Sequence, residues 1–154
     1  MEKIKIHFDG SCQTNPFGQI GYGCLIEYPD GSEVELFDGD AASETNSNNV
    51  AEYKGLNLAL NHLQGTKGYL IDIYGDSKLV ISQMNGDWKV KDGFYKSEAL
   101  RARELAINIM ENKSKLKFTW IPREQNEKAD ELSNRYHENN SLDDRYLRLL
   151  RDNS

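Results

Sequence analysis

The sequence predicts an α/β fold on a five-stranded mixed sheet, three antiparallel strands followed by two parallel ones, flanked by helices. Three observations lead there. Residues 3–37 carry strand patterns separated by short turns, which suits an antiparallel meander. The rest of the chain alternates helical spacing with two further short strands, and strands reached through right-handed helical crossovers lie parallel to their neighbours. A length of 154 residues, 38% hydrophobic and 29% charged, fits one domain with an ordinary core.

From Lys3 to Phe8 the side chains alternate, with Ile4, Ile6 and Phe8 on one face and Lys3, Lys5 and His7 on the other. Asp9 follows on the His7 side, at the end of this strand. After a loop containing Asn15-Pro16 and Gly18, GYGCLIEY reads as a second strand, YPDGS as a turn, and SEVELF as a third strand with Val34 and Leu36 inward. The polar stretch ASETNSNN leads into VAEYKGLNLALNHL, where Val50, Tyr53, Leu56, Ala59, Leu60 and Leu63 recur at helical spacing. Ser47 or Asn48 supplies its cap, and Gly65 and Gly68 end it.

YLIDIYGD is the fourth strand and closes on Asp76. Ser77 to Met84 forms a short helix stopped by Asn85-Gly86, and GDWKVKDG links it to a longer helix from Tyr95 to Glu111. In that helix Tyr95, Ala99, Ala102, Ala106 and Ile109 share a face. Leu116 to Ile121 is the fifth strand, ended by Pro122, and Asn126 to His137 is a helix with Ala129, Leu132, Ser133 and Tyr136 inward. The tail, SLDDRYLRLLRDNS, reads as an amphipathic helix capped by Ser141, with Leu142, Tyr146, Leu149 and Leu150 expected to pack back on the domain. Residues 1–140 are expected to form one unit and residues 141–154 a helical tail.

No apolar run reaches the length of a membrane span, and MEKIKIHFDG lacks the long apolar body of a signal peptide, so a cytoplasmic location is expected; a monomer is expected as well. Cys12 and Cys24 are too few for a disulfide framework and have no partner pattern for zinc. The net charge of -6 argues against binding nucleic acid through a broad basic face. Any polyanion must be held locally, by metal ions or a few well-placed donors.

Four acids stand out by position: Asp9 and Asp76 at strand ends, Glu52 early in the first long helix, and Asp130 early in the helix after the fifth strand. Singly, each is ordinary surface charge in a chain with 25 acidic residues. Together they differ, because ligand sites in open sheets gather at the carboxyl ends of parallel strands. Four converging carboxylates repel one another and call for a dense cation, and carboxylate oxygens select Mg²⁺ or Mn²⁺ over zinc. Two such ions about 3.5 to 4 Å apart can activate water and stabilise a leaving oxygen during attack on a phosphodiester.

The segments FDGSC with Asn15, NSNNVAEYKGLNLAL, IYGDSKLVISQMNGDWKVK and FTWIPREQNEKADELSN resemble, in order and spacing, the four signature blocks of type 1 ribonuclease H. The resemblance spans residues 4 to 136 and implies a ribonuclease H-like fold. It also implies Mg²⁺-dependent hydrolysis of the RNA strand of RNA/DNA hybrids, with residues 1–140 as the catalytic domain. Asp9, Glu52, Asp76 and Asp130 are then the catalytic metal ligands, and Glu52 also lies near the attacked RNA position. The resemblance assigns substrate binding to Gly10, where the backbone approaches the substrate, to Ser11, to Cys12, Asn15, Asn48 and Asn49, which match positions that contact the minor groove of the hybrid, and to Ser47 at a DNA-strand phosphate. Capping also suits Asn48 and Asn49, core packing suits Cys12, and Trp88 suits either a sugar stack or edge packing.

Two departures from the family pattern matter. The basic helix and loop that grips the hybrid in many members is replaced by GDWKVKDG, leaving Lys78, Lys89 and Lys91 as a reduced grip, a handle-less form. Weak binding and a steep salt dependence are expected from so acidic a chain. The loop histidine of many members is absent from TWIPREQNEKAD, and Arg123 is the candidate for contacting the scissile phosphate or product; always protonated, it cannot act as a base. His7, His62 and His137 lie elsewhere and read as packing or surface residues. Rival readings are a silent hybrid-binding domain and a related nuclease acting on junctions or double-stranded RNA.

Overall fold

The structure is a computed structural model that describes residues 1–139 and 142–153, the side chains of 142–144 excepted. The elements are β1 (Lys3–Gln13), β2 (Gln19–Glu27), β3 (Glu33–Asp40), α1 (Asn48–His62), β4 (Leu70–Gly75), α2 (Lys78–Met84), α3 (Lys96–Glu111), β5 (Lys115–Trp120), α4 (Glu127–Asn139) and α5 (Leu142–Asp152). A single 3-10 turn, Arg123–Gln125, precedes α4. The sheet order is β3-β2-β1-β4-β5, with β1, β2 and β3 antiparallel and β1, β4 and β5 parallel, as the patterning predicts.

Apolar alternation decides which face of the sheet each helix covers. Ile4, Ile6 and Phe8 of β1 and Ile71 and Ile73 of β4 join Tyr53, Leu56 and Leu60 of α1 and Ala99, Ala102 and Ile109 of α3 in one buried cluster. The opposite face of β2 bears Gly21 and Gly23, and α4 lies directly on it: a Cβ on Gly21 would stand 2.2 Å from the Ser133 carbonyl oxygen. Tyr136 is half-buried over Gly39 in the same layer, while the inward stripe of α4 runs through Ala129, Leu132, Ser133 and His137.

The first strand is longer than its pattern predicts, which changes the place of Asp9. The parallel ladder with β4 ends at His7↔Tyr74, but the antiparallel pairing with β2 continues through Asp9↔Gly23 to Gln13↔Gln19. Asp9 therefore stands within β1, two residues beyond the end of its parallel ladder, rather than at the end of the strand. Polar residues of this extension face a cleft, so no apolar alternation marks them.

The tail also differs from expectation. It is helical, but Tyr146, Leu147, Leu149 and Leu150 are each more than half exposed. The end of α4 before it, Glu138 and Asn139, is polar and exposed. The cap expected at Ser141 and the packing expected of Leu142 lie outside the described residues. Among the described residues, no helix is long and apolar enough to cross a membrane.

Candidate active site

Close backbone packing brings three of the four acids together. Gly10 of β1 lies against the backbone of α1, where a Cβ would stand 2.2 Å from the Ala51 carbonyl carbon and 2.4 Å from the Glu52 nitrogen. Gly55, one turn along, presses on the Asp9 carbonyl oxygen in the same way, at 2.4 Å from its own absent Cβ. Ser47 starts the helix, its hydroxyl accepting the Val50 N–H at 3.2 Å. With no Cβ at either contact, α1 delivers Glu52 to Asp9 across a gap that no other residue pair allows.

One carboxylate oxygen each from Asp9, Glu52 and Asp76 lies within 4.8 Å of the others. Asp130, on the first turn of α4, lines the same cleft outside this trio, its Oδ1 3.7 Å from Nη2 of Arg123. The cleft has a volume of about 420 Å³ and is also walled by Gly10, Ser11, Cys12, Asn48 and Asn49. Ser77 and Asn134 line it too, unforeseen in the sequence. Asn134 donates to the Asp130 carbonyl at 2.9 Å, and Ser77 caps α2 through the Val80 N–H at 3.2 Å.

Burial sets the electrostatics. Asp9 is pushed from 3.8 up to about 7, chiefly by loss of solvent and further by Asp76 and Asp130, against the opposing hydrogen bonds of Glu52 and Gly10. Glu52 is raised well above its usual range, again first by burial and then by Asp9. Asp76 is raised by burial and held back by the Asn126 amide and by Arg123. Asn126 was not foreseen: its Nδ2 donates to the Phe8 carbonyl at 2.9 Å and to Asp76 Oδ2 at 3.4 Å, tying β1, β4 and the start of α4 together.

The chemistry of this donor set fits a divalent cation. All three ligating groups are carboxylates, and Glu52 Oε2 is buried with no hydrogen-bond partner among the described residues. A hard cation bound there would give that oxygen a partner and would relieve the mutual repulsion that adds to burial in raising the pKa values of Asp9 and Glu52.

The other expected substrate contacts fall into two groups. Asn15 and Asn48 stand beside the cleft as a linked corner: the Cys12 N–H donates to Asn48 Oδ1 at 3.1 Å and the Asn48 N–H to Asn15 Oδ1 at 3.0 Å. Both carboxamide oxygens are engaged by backbone donors and both residues are exposed, so each amide NH₂ remains as the donor end of its side chain. Trp88 and Lys89 instead line a separate groove with Leu79, Gln83, Lys91 and Tyr95, and Lys78 sits over the Trp120 ring at 5.0 Å.

Gly10 is required by the approach of α1, and it lines the cleft as well. His137 is a packing residue that braces β1 and β2 against α4. Gln19 Nε2 donates to its Nδ1 at 2.9 Å, which leaves Nε2–H to donate to Ser11 Oγ at 2.9 Å. The two cysteines are free, Cys24 buried and Cys12 at the cleft.

Comparison with known proteins gives the chain a family. The family profile described as "Reverse transcriptase-like" matches residues 7–136. Bifunctional protein Rv2228c of Mycobacterium tuberculosis is 36% identical over 132 residues, covering 86% of this chain and 35% of that protein. The chain thus spans about a third of the length of that relative. Ribonuclease HI of Synechocystis is 30% identical over 149 residues, covering 89% of each chain. The solved structure of LC11-RNase H1 in complex with RNA/DNA hybrid superposes with a TM-score of 0.74 at 32% identity, over 85% of this chain and 94% of that one. With sheet order, acidic cleft and relatives in agreement, the chain belongs to the type 1 ribonuclease H family.

Proposed function

We propose that the protein is an endoribonuclease that hydrolyses the RNA strand of RNA/DNA hybrids with two Mg²⁺ ions, or Mn²⁺ in their place, leaving 5'-phosphate and 3'-hydroxyl ends. One observation carries the reading: Asp9, Glu52 and Asp76 converge within 4.8 Å on a cleft where a buried Glu52 oxygen has no partner among the described residues. The hybrid complex of LC11-RNase H1, a relative of the same fold, supports the choice of substrate.

Asp9, Glu52 and Asp76, with Asp130 at the cleft edge, hold the ions in this reading. When bound, the ions supply an activated water and neutralise charge developing on the phosphate. The protein's own groups position the strand. The NH₂ groups of Asn48 and Asn15 donate to the 2'-hydroxyls and base edges that a hybrid presents in its minor groove. Arg123, on the 3-10 turn beside Asp130, offers a permanent cation to the phosphate and takes no proton. Asn126 keeps the Asp76 carboxylate aimed at the cleft while Glu52 stays buried against Asp9.

Matched hybrid, RNA duplex and DNA duplex, each with Mg²⁺ or Mn²⁺, test the proposal. Selective cutting of the RNA strand of the hybrid is the expected result. Failure to cut any RNA-containing substrate in either metal rejects it, and equal cutting of the RNA duplex rejects its specificity.

A further inference from the structure

Two phenylalanines from distant parts of the chain meet on the surface next to the Cys12–Asn15–Asn48 corner. Phe17 follows Asn15-Pro16, and Phe94 ends the lysine-bearing loop before α3. Their ring centroids are 6.4 Å apart at 65°, an edge-to-face pair, yet each is 53% exposed.

Phe17 is firmly built. Its N–H donates to the Asn46 carbonyl at 2.9 Å, and its own carbonyl accepts the Ser43 N–H at 3.0 Å. The Cys12 thiol, on the cleft wall, donates to the Thr14 carbonyl at 3.3 Å and lies 3.8 Å from the Gly18 carbonyl. Buried Asn46 donates to the Gly18 carbonyl at 2.9 Å. The backbone of Phe17 is held at φ +75, a conformation that L side chains rarely adopt. Backbone strain of this kind persists where the surrounding structure fixes it, and it clusters at ligand clamps.

We infer that Phe17 and Phe94 form an aromatic platform that stacks on a sugar or base of the nucleic acid leaving the cleft, extending the interface from Asn15 and Asn48 toward Lys89 and Lys91. The inference rests on the hybrid-cleaving reading and adds a binding element to it. Continuity identifies the occupant, because Cys12 lines the catalytic cleft and its thiol clasps the loop on both sides of Phe17. Charge identifies it too: a chain of net charge -6 gains little grip from lysines, and stacking is an attraction that salt does not screen.

The test measures affinity for a matched hybrid in an Asp76→Asn background, at low and high salt, for Phe17→Leu, Phe94→Leu and the double variant. Leucine keeps apolar bulk and removes the ring. Each single variant is expected to weaken binding roughly tenfold, equally at both salt concentrations. Lys89→Ala with Lys91→Ala should lose affinity mainly at low salt. With Asp76 intact, the phenylalanine variants should raise KM and leave kcat unchanged. Phe94 has no positive φ, so a folded Phe94→Leu decides the matter if Phe17→Leu fails to fold. Unchanged affinity in folded Phe94→Leu overturns the proposal. So does a dimer of this chain that the double variant dissolves with hybrid affinity intact, which assigns the platform to a second copy. Failure of the hybrid-cleaving reading shows differently, as an absence of hybrid cutting by the unaltered protein.

Discussion

Asp9 and Asp76 leave neighbouring parallel strands at the same level: each stands two residues beyond the last register pair of β1 and β4, His7 and Tyr74. The sheet therefore fixes two carboxylates side by side before any helix is placed. Glu52 then arrives from α1 through the Gly10 and Gly55 contacts, and Asn126 locks the Asp76 side. Placement of the acids is a property of backbone packing.

Gly10→Ala should be severely destabilising. Its Cβ would fall 2.2 Å from one α1 backbone atom and 2.4 Å from another, and no side-chain rotation relieves a backbone clash. A loss of about 3 kcal/mol is expected, read from a urea unfolding midpoint. A midpoint equal to that of the unaltered protein would mean that α1 does not lie this close to β1.

Stability without metal should fall as pH rises through the neutral range. An unfolded chain releases the Asp9 and Glu52 protons near the ordinary carboxylate values, whereas the folded chain holds the Asp9 proton to about 7 and that of Glu52 well above its usual range. The folded state thus binds more protons above about pH 4, and its stability drops as pH rises from there through about 7. The melting temperature in EDTA should decline by several degrees across that window, Asp9→Asn should flatten the decline, and Mg²⁺ at pH 7.5 should reverse it. A metal-free melting temperature with the same pH profile in Asp9→Asn would disconnect the effect from this cluster.

The salt dependence of hybrid binding should be shallow, in contrast to the steep dependence expected from net charge alone. Counterion release scales with the number of phosphates contacted, and the cations placed for this are few: Arg123, Lys89 and Lys91, with Lys78 drawn onto Trp120. A log–log slope of roughly -3 follows for three contacts. A slope near -8 would require a basic surface that this face does not display.

Removing residues 141–154 should leave the melting temperature within about 2 °C and hybrid cleavage intact. The described apolar side chains of α5 at Tyr146, Leu147, Leu149 and Leu150 are exposed, and such residues contribute little burial to the domain. A large drop in melting temperature on truncation would show that α5 covers part of the fold.

Local pattern announced much of this. The alternation around Ile4, Ile6 and Phe8 marks β1, helical spacing marks α1 and α3, and the acids at 9, 52, 76 and 130 stand out when their positions are taken together. What stayed hidden depends on partners far along the chain. Asn126 reaches Phe8 and Asp76, and His137 reaches Ser11 and Gln19, contacts between segments with no shared periodicity. The extension of β1 beyond Phe8 was hidden because cleft-facing polar residues break the two-residue alternation. The tail departs from its pattern because amphipathic spacing names a face without naming what covers it.

Hybrid cleavage at the Asp9–Glu52–Asp76 cluster is tested by comparing cutting of a matched RNA/DNA hybrid in Mg²⁺ by the unaltered protein and by Asp76→Asn, with end-group analysis of the products. RNA fragments with 5'-phosphate and 3'-hydroxyl ends are expected from the unaltered protein. Asp76→Asn should lose at least about a thousandfold in rate with its melting temperature maintained or raised, because removing one of three crowded carboxylates relieves repulsion. Cleavage by a folded Asp76→Asn at the unaltered rate would contradict this assignment of the active site.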